Sequence, residues 1–213
     1  MSVIVKICGL REAEHVDAAV EAGAGLTGFV FFEPSPRNIS IAEAAALTAR
    51  VPAGVRKVAL SVDADDDFLS AIIDGAGVDT LQLHGAETLE RVRHVREKFG
   101  LPVIKALPVS TVDDVEAGQP YEAYADMLLF DAKPPKDATR PGGNAESFDW
   151  TLLQQAGFRV PWLLAGGLTP ENVAEAVRIS GAPMVDVSSG VEDAPGRKNT
   201  RKIRDFIAAA HSG

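Results

Sequence analysis

Eight short apolar runs, recurring along the whole chain, constrain its fold more than any other feature. They are Val3–Ile7, Thr27–Phe31, Arg56–Leu60, Thr80–Leu83, Pro102–Leu107, Met127–Phe130, Pro161–Ala165 and Met184–Val187. Successive runs start roughly 25 residues apart, with one longer step of about 34 after Phe130, and a strand–helix repeat of that length points to a closed parallel barrel. The runs are continuous rather than alternating, as strands covered on both faces require. Helical spacing fills the gaps, at Leu10–Ala22, Ile41–Arg50, Asp65–Asp74 and Glu87–Lys98; the third of these carries Phe68, Leu69, Ile72 and Ile73 in the i, i+3, i+4 pattern. Thr169-Pro170-Glu171-Asn172 predicts a helix start with Thr169 as N-cap and Pro170 at the first helical position. The acidic stretch Asp63–Asp67 suits a helix N-terminus. The expected fold is α/β: a single (β/α)8 barrel over residues 1–213, with eight parallel strands and loops that are short except after strand six. An open doubly wound sheet is the alternative, but no G-x-G-x-x-G opens a helix.

Composition narrows the functions open to such a barrel. The chain has 213 residues, 46% hydrophobic, enough for a full core. Lys and Arg number 21 against 30 Asp and Glu, a net charge of −9, which disfavours binding to nucleic acid or to an anionic membrane. An anionic small molecule must then be held by local devices, such as backbone N–H groups or single arginines. Cys8 is the only cysteine, which excludes an intramolecular disulfide and fits a reducing compartment. No basic segment followed by an apolar stretch opens the chain, and no run approaches the ~18 residues of a membrane span. A cytoplasmic protein is expected, working as a monomer or homodimer. Four histidines without metal-ligand spacing give no zinc site, and His15, His94 and His211 read as solvated.

In such barrels chemistry sits at the C-terminal ends of the strands. Those positions hold Cys8, Phe32–Arg37, Gln82 and His84, Lys105, Asp131, Gly166-Gly167 and Ser188-Ser189-Gly190. The seventh and eighth runs end in small residues whose backbones can approach an anion and point N–H groups at it, at the two loops where barrels commonly hold phosphate. Pro34 and Pro36 stiffen the loop that presents Arg37, whose fork suits a carboxylate, unless it pairs with Glu33. Asp131 ends an apolar strand. A carboxyl group against apolar walls is disfavoured as an anion and so suited to donating a proton, unless it caps the loop or pairs with Lys133. Gln82 and His84 share a strand face and could line a pocket or serve the structure. Cys8, read alone, is either core filler or a reacting group.

Taken in order, the strand-end motifs resemble one family, the phosphoribosylanthranilate isomerases. They are KICGL at Lys6–Leu10, GFVFFEPSPR at Gly28–Arg37, LQLHG at Leu81–Gly85 and LLFDAKPP at Leu128–Pro135. PGG with FDW follows at Pro141–Trp150, then LAGGLTPENV at Leu164–Val173, and VDVSSGVE with PGRK at Val185–Lys198. The resemblance implies an Amadori rearrangement in tryptophan biosynthesis, with Cys8 as general base and Asp131 as general acid. It places Arg37 on the anthranilate carboxylate and Gly166, Gly167, Ser188 and Ser189 around the phosphate. Gln82, His84, Gly142, Gly143, Asp186 and Gly190 complete the expected substrate-binding set. The reaction only moves protons, so no cofactor and no metal is expected.

Two departures from the family pattern stand out. The sixth loop reads Gly142-Gly-Asn-Ala145 in place of GGTG, and the third strand reads Lys57-Val-Ala-Leu-Ser-Val62, a change expected to affect barrel packing alone. A free thiol with a pKa of about 8.5 is only a few per cent thiolate at pH 7. Lys6, two residues earlier on the same strand face, is the cation expected to favour the Cys8 thiolate. Two other functions remain in view. A histidine-pathway aminoaldose isomerase would carry an aspartate at Cys8 and a second phosphate site. A noncatalytic phosphosugar-binding barrel would need neither Cys8 nor Asp131.

Overall fold

A strand that is apolar on both faces is stable only between two apolar layers, and the barrel supplies both. The computed structural model describes residues 3–133, 142, 147–154 and 157–213. Its strands are β1 (Ile4–Cys8), β2 (Leu26–Phe31), β3 (Arg56–Ser61), β4 (Thr80–Leu83), β5 (Val103–Val109), β6 (Met127–Ala132), β7 (Trp162–Leu164) and β8 (Met184–Val187). They pair in parallel in chain order and close β8 onto β1, with Ile4 opposite Met184 and Lys6 opposite Asp186. Each expected run therefore became a strand, displaced by at most a few residues at either end.

Alternation along the strands sorts side chains into two cores. Val5 and Ile7 of β1, Phe29 and Phe31 of β2 and Leu128 and Phe130 of β6 face outward, into the layer beneath the helices. Leu26, Val58, Ile104, Met127, Leu129, Leu163 and Met184 fill the barrel interior. Lys6, Cys8, Gln82, His84, Asp131 and Asp186 share the inward parity, so the polar residues of those strands are stacked over this small apolar plug.

The helices are α1 (Ala13–Glu21), α2 (Ile41–Thr48), α3 (Asp66–Ala76), α4 (Leu89–Phe99), α5 (Val112–Glu116), α6 (Val173–Ser180) and α7 (Thr200–Ala210). Ser40 and Glu43 form a capping box on α2, and Asp65 caps α3 by accepting from Phe68 N–H, so the acidic stretch does start a helix. Among the described residues, a 3-10 turn at Trp150–Leu153 stands between β6 and β7. After β8 the chain forms a small antiparallel hairpin, β9 (Glu192–Ala194) and β10 (Arg197–Lys198), before α7. No helix among the described residues is long and apolar enough to cross a membrane.

Two expectations fail locally. Helix α6 begins at Val173, with Asn172 and not Thr169 as its cap residue. The Asn172 side chain folds back instead, accepting from Thr169 N–H at 2.7 Å and donating to Gly167 O at 2.9 Å, which keeps the preceding residues in a turn. His15 is buried, on the inward face of α1, whereas His94 is half-exposed and paired with Asp66, and His211 is exposed.

Candidate active site

A cavity of about 780 Å³, including its open mouth, lies at the C-terminal ends of the strands. Cys8, Arg37, His84, Asp131, Gly142, Gly166, Gly167, Asp186, Ser188 and Ser189 all line it. Gln82 and Gly190 do not, and Gly143 and Ala145 of the sixth loop lie outside the described residues. Leu60 and Val62 also form part of the wall, so the third-strand departure shapes the cavity as well as the packing.

Cys8 enters from β1. A Cβ on Gly28, its register partner in β2, would stand 3.0 Å from Cys8 Sγ and 3.2 Å from Lys6 Nζ. Thiol and ammonium thus share the space that a side chain at Gly28 would take, a role for this glycine that strand reading alone did not suggest. Lys6 is wholly buried and donates to Asp186 Oδ1 at 2.9 Å. Burial opposes its charge, but Asp186 and, less strongly, Cys8 hold it above the ordinary lysine value. Burial pushes the Cys8 thiol up; Lys6 and Lys198 pull it down without offsetting that rise, and Asp186 adds to it. Lys6 is therefore not a free cation beside the thiol, since its ammonium is matched by the carboxylate of Asp186.

Arg37 lies over the next residue of the same motif. Gly9 has φ 78°, and a Cβ there would be 2.6 Å from Arg37 Cδ, so a glycine is required on both counts. The loop that carries Arg37 is pinned by Asn38, which accepts from Phe32 N–H at 2.8 Å. Arg37 pairs not with Glu33 but with Glu192 of the hairpin, Nε and Nη2 donating to the two carboxylate oxygens at 2.7 and 2.8 Å. One edge of the fork is thereby taken, and among the described residues the Nη1 side has no partner.

Asp131 stands at the other side of the mouth. Its Oδ1 accepts from Ala132 N–H at 2.9 Å, and its Oδ2 lies 3.4 Å from His84 Nε2. Lys133 turns away to Asp114, and among the described residues Asp131 has no lysine partner. Gln82 lies beneath His84, with Nε2 2.9 Å from His84 Nδ1, so it orients the ring and does not line the pocket. A Cβ on Gly142 would come within 2.5 Å of Asp131 Oδ2 and 2.7 Å of His84 Nε2, so Gly142 stands directly over the pair.

The anion loops close the ring. Gly166 and Gly167 both have positive φ, 87° and 63°, and a Cβ on Gly166 would meet Ala132 N at 2.6 Å. A Cβ on Gly190 would collide with Leu168 O, so this glycine lets loop eight press against loop seven and does not itself reach the cavity. Ser188 Oγ donates to Cys8 O at 3.1 Å and accepts from Lys198 Nζ at 3.2 Å. Its single proton is spent there, which leaves the loop backbone and Ser189 for an anion. Lys105, at the end of β5, has outward parity and binds Glu87 at 2.6 Å behind the wall. Lys198 and Glu192 were missed as site residues because they lie on a short hairpin with no periodic pattern.

Fold and mouth together define an acid–base enzyme built on a (β/α)8 barrel. The family model described as "PRAI: N-(5'phosphoribosyl)anthranilate (PRA) isomerase" matches residues 5–209, and the chain belongs to that family. It is 57% identical over 213 residues to the N-(5'-phosphoribosyl)anthranilate isomerase of Paramagnetospirillum magneticum, covering 100% of this chain and 99% of the relative. The crystal structure of phosphoribosyl anthranilate isomerase from Thermotoga maritima matches with a TM-score of 0.88 at 36% identity, 98% of each chain being covered. A phosphoribosyl anthranilate isomerase in complex with reduced 1-(o-carboxyphenylamino)-1-deoxyribulose 5-phosphate matches at 0.84 and 34%, again over 98% of each chain.

Proposed function

We propose that this chain catalyses the Amadori rearrangement of N-(5-phosphoribosyl)anthranilate to 1-(2-carboxyphenylamino)-1-deoxyribulose 5-phosphate, in tryptophan biosynthesis, by general acid–base catalysis. The observation that carries the assignment of roles is that Cys8 of β1 and Asp131 of β6 face one cavity from different arcs of the ring. The acid and the base must work on neighbouring sugar atoms from different sides.

Asp131 donates its proton to the furanose ring oxygen as the bond from that oxygen to C1′ breaks, and the anthranilate nitrogen lone pair forms the C1′=N bond. Cys8, as thiolate, then removes the proton from C2′, and the electron pair moves to give the enolamine. Protonation at C1′ and loss of the C2′ hydroxyl proton yield the ketone. Oxidation at C2′ balances reduction at C1′, so substrate and product are isomers and no outside oxidant or reductant enters. His84, oriented by Gln82, positions Asp131. The free side of Arg37 receives the anthranilate carboxylate, and the loops at Gly166-Gly167 and Ser188-Ser189 receive the phosphate. The enzyme acts as a single barrel, monomeric or as a homodimer, in the cytoplasm.

The test is the loss of fluorescence of freshly made phosphoribosylanthranilate. Wild type turns it over, whereas Cys8→Ser and Asp131→Asn each lower kcat by roughly 10²–10⁴-fold. A loss below tenfold in either variant overturns the role given to that residue.

A further inference from the structure

We propose that Lys198 is the positioning residue of the Cys8 base: its ammonium supplies the unmatched positive charge behind the thiol and ties the Cys8 carbonyl, through Ser188, to the hairpin that holds Arg37. The proposal rests on Cys8 being the base and adds how that base is sustained.

The geometry is a continuous buried chain of contacts. Lys198 is 3% exposed, and its Nζ donates to Ser188 O at 2.9 Å, Ser188 Oγ at 3.2 Å and Glu192 Oε1 at 2.7 Å. All three ammonium protons are used. Ser188 Oγ passes the link on to Cys8 O, and Glu192 passes it to Arg37. One lysine at the end of a two-residue strand thus joins the reacting residue, at the end of β1, to the carboxylate-binding residue, in the loop after β2.

The charge count gives the link its chemistry. Among the described residues, the charged groups facing Cys8 are Lys6 on its own strand, Asp186 on β8 and Lys198 on the hairpin, with Arg37 lying over Gly9. Lys6 and Asp186 cancel as a pair. Arg37 and Lys198 share the single carboxylate of Glu192, leaving one positive charge in excess. A buried excess charge is costly until an anion meets it, and the thiolate of Cys8 is the anion the enzyme itself can supply. Burial, only partly offset by Glu192, pushes Lys198 down to about 8, so this charge is present at neutral pH and lost not far above it.

Cys8 is the only cysteine, so the pH dependence of iodoacetamide alkylation reads it alone. At pH 7, where Lys198 carries its charge, Lys198→Met and Lys198→Gln are each expected to slow alkylation of Cys8 roughly tenfold through a smaller thiolate fraction, and to converge with wild type above pH 8. Lys198→Gln retains a donor for Ser188 and Glu192 should methionine unfold the hairpin. Ser188→Ala cuts the tie to the Cys8 carbonyl but keeps the charge, and leaves the thiol profile unchanged. The deficit in kcat of the lysine variants narrows above pH 8, where the wild-type lysine itself loses its proton. An unchanged alkylation rate at pH 7 in a folded Lys198 variant overturns the proposal, as does a Ser188→Ala loss at pH 7 equal to that of Lys198→Gln. Wild-type turnover and its loss in Cys8→Ser are separate measurements, so failure here and failure of the isomerase reading are told apart.

Discussion

Among the described residues, two buried lysine–carboxylate pairs have their lysine on a barrel strand, and only one of them belongs to the site. Lys6 of β1 meets Asp186 of β8 at 2.9 Å, and Lys105 of β5 meets Glu87 at 2.6 Å. All four residues are buried, and both lysines reach their partners near the strand ends. The difference is parity. Lys6 has the inward parity of Cys8, and its carboxylate partner lines the cavity. Lys105 points outward, where it donates to Gly85 O at 2.7 Å, while Glu87 accepts from Gly85 N–H and from Asp63 N–H at 3.0 Å. The same chemical pair tunes a thiol on one face of the sheet and splices the loops after β3 and β4 on the other. A strand-end position is thus only half of a functional address; the phase of the alternation is the other half.

Replacing each lysine by methionine puts this difference to its hardest test. Either change strands a buried carboxylate, which costs about 3–5 kcal/mol. Urea unfolding should show a loss of that size in both variants. Lys6→Met should in addition lower kcat, because Asp186 would remain beside the thiol with no cation to match it. Lys105→Met should leave the kcat of the folded enzyme close to wild type. Equal damage to kcat in both variants would show that parity does not divide site from scaffold.

Parity was legible in the sequence, and so was most of the barrel. A continuous apolar run such as Met127–Phe130 announces a strand covered on both sides, and β6 indeed spans Met127–Ala132. The side of each residue then follows from its offset from Cys8 or Asp131. Two kinds of feature escaped. Side chains that turn back on their own loop do so through local hydrogen bonds that propensity does not encode, as Asn172 does in delaying α6 beyond Thr169. Partners that meet across the mouth from distant segments leave no periodic trace: Glu192 is 155 positions from Arg37, and Lys198 reaches Ser188 from a hairpin only five residues of which are strand. The Arg37 fork was visible as a candidate, but its occupied edge was not.

That occupied edge separates binding from chemistry on the site side of the comparison. Arg37→Ala removes a charged donor from the carboxylate end of the substrate, and Lys198 remains to pair with Glu192. Hydrogen bonds to charged groups contribute about 1.5–3 kcal/mol, so KM should rise roughly 10–100-fold with a smaller change in kcat. Steady-state kinetics over substrate concentrations reaching saturation decides it. A collapse of kcat with KM unchanged would move Arg37 from substrate binding into the acid–base step.

The scaffold side yields the smallest effect, and it concerns what burial adds. On the outer layer, Asp66 of α3 gathers three basic side chains: Lys98 and His94, each at 2.7 Å, and Arg91. By the number of side-chain partners it outranks Glu87. By burial it does not, for all four side chains are partly in solvent, where attraction is screened and ordering long side chains costs entropy. The hydrogen bonds from Lys98, His94 and Arg91 hold the Asp66 carboxyl well below the usual carboxylate range. A depressed carboxyl stabilises the fold above its unfolded pKa of about 4, and that contribution falls away as acidification carries the pH down through the folded value. Asp66→Asn should therefore lower Tm at pH 7 by less than Lys105→Met does. Its deficit should shrink with added salt and shrink again as the pH is lowered from 5 toward 2. Thermal melts at two salt concentrations and across that pH range measure both trends. If Asp66→Asn were instead as damaging as Lys105→Met and insensitive to salt, the number of partners rather than their burial would rank the charged clusters of this barrel.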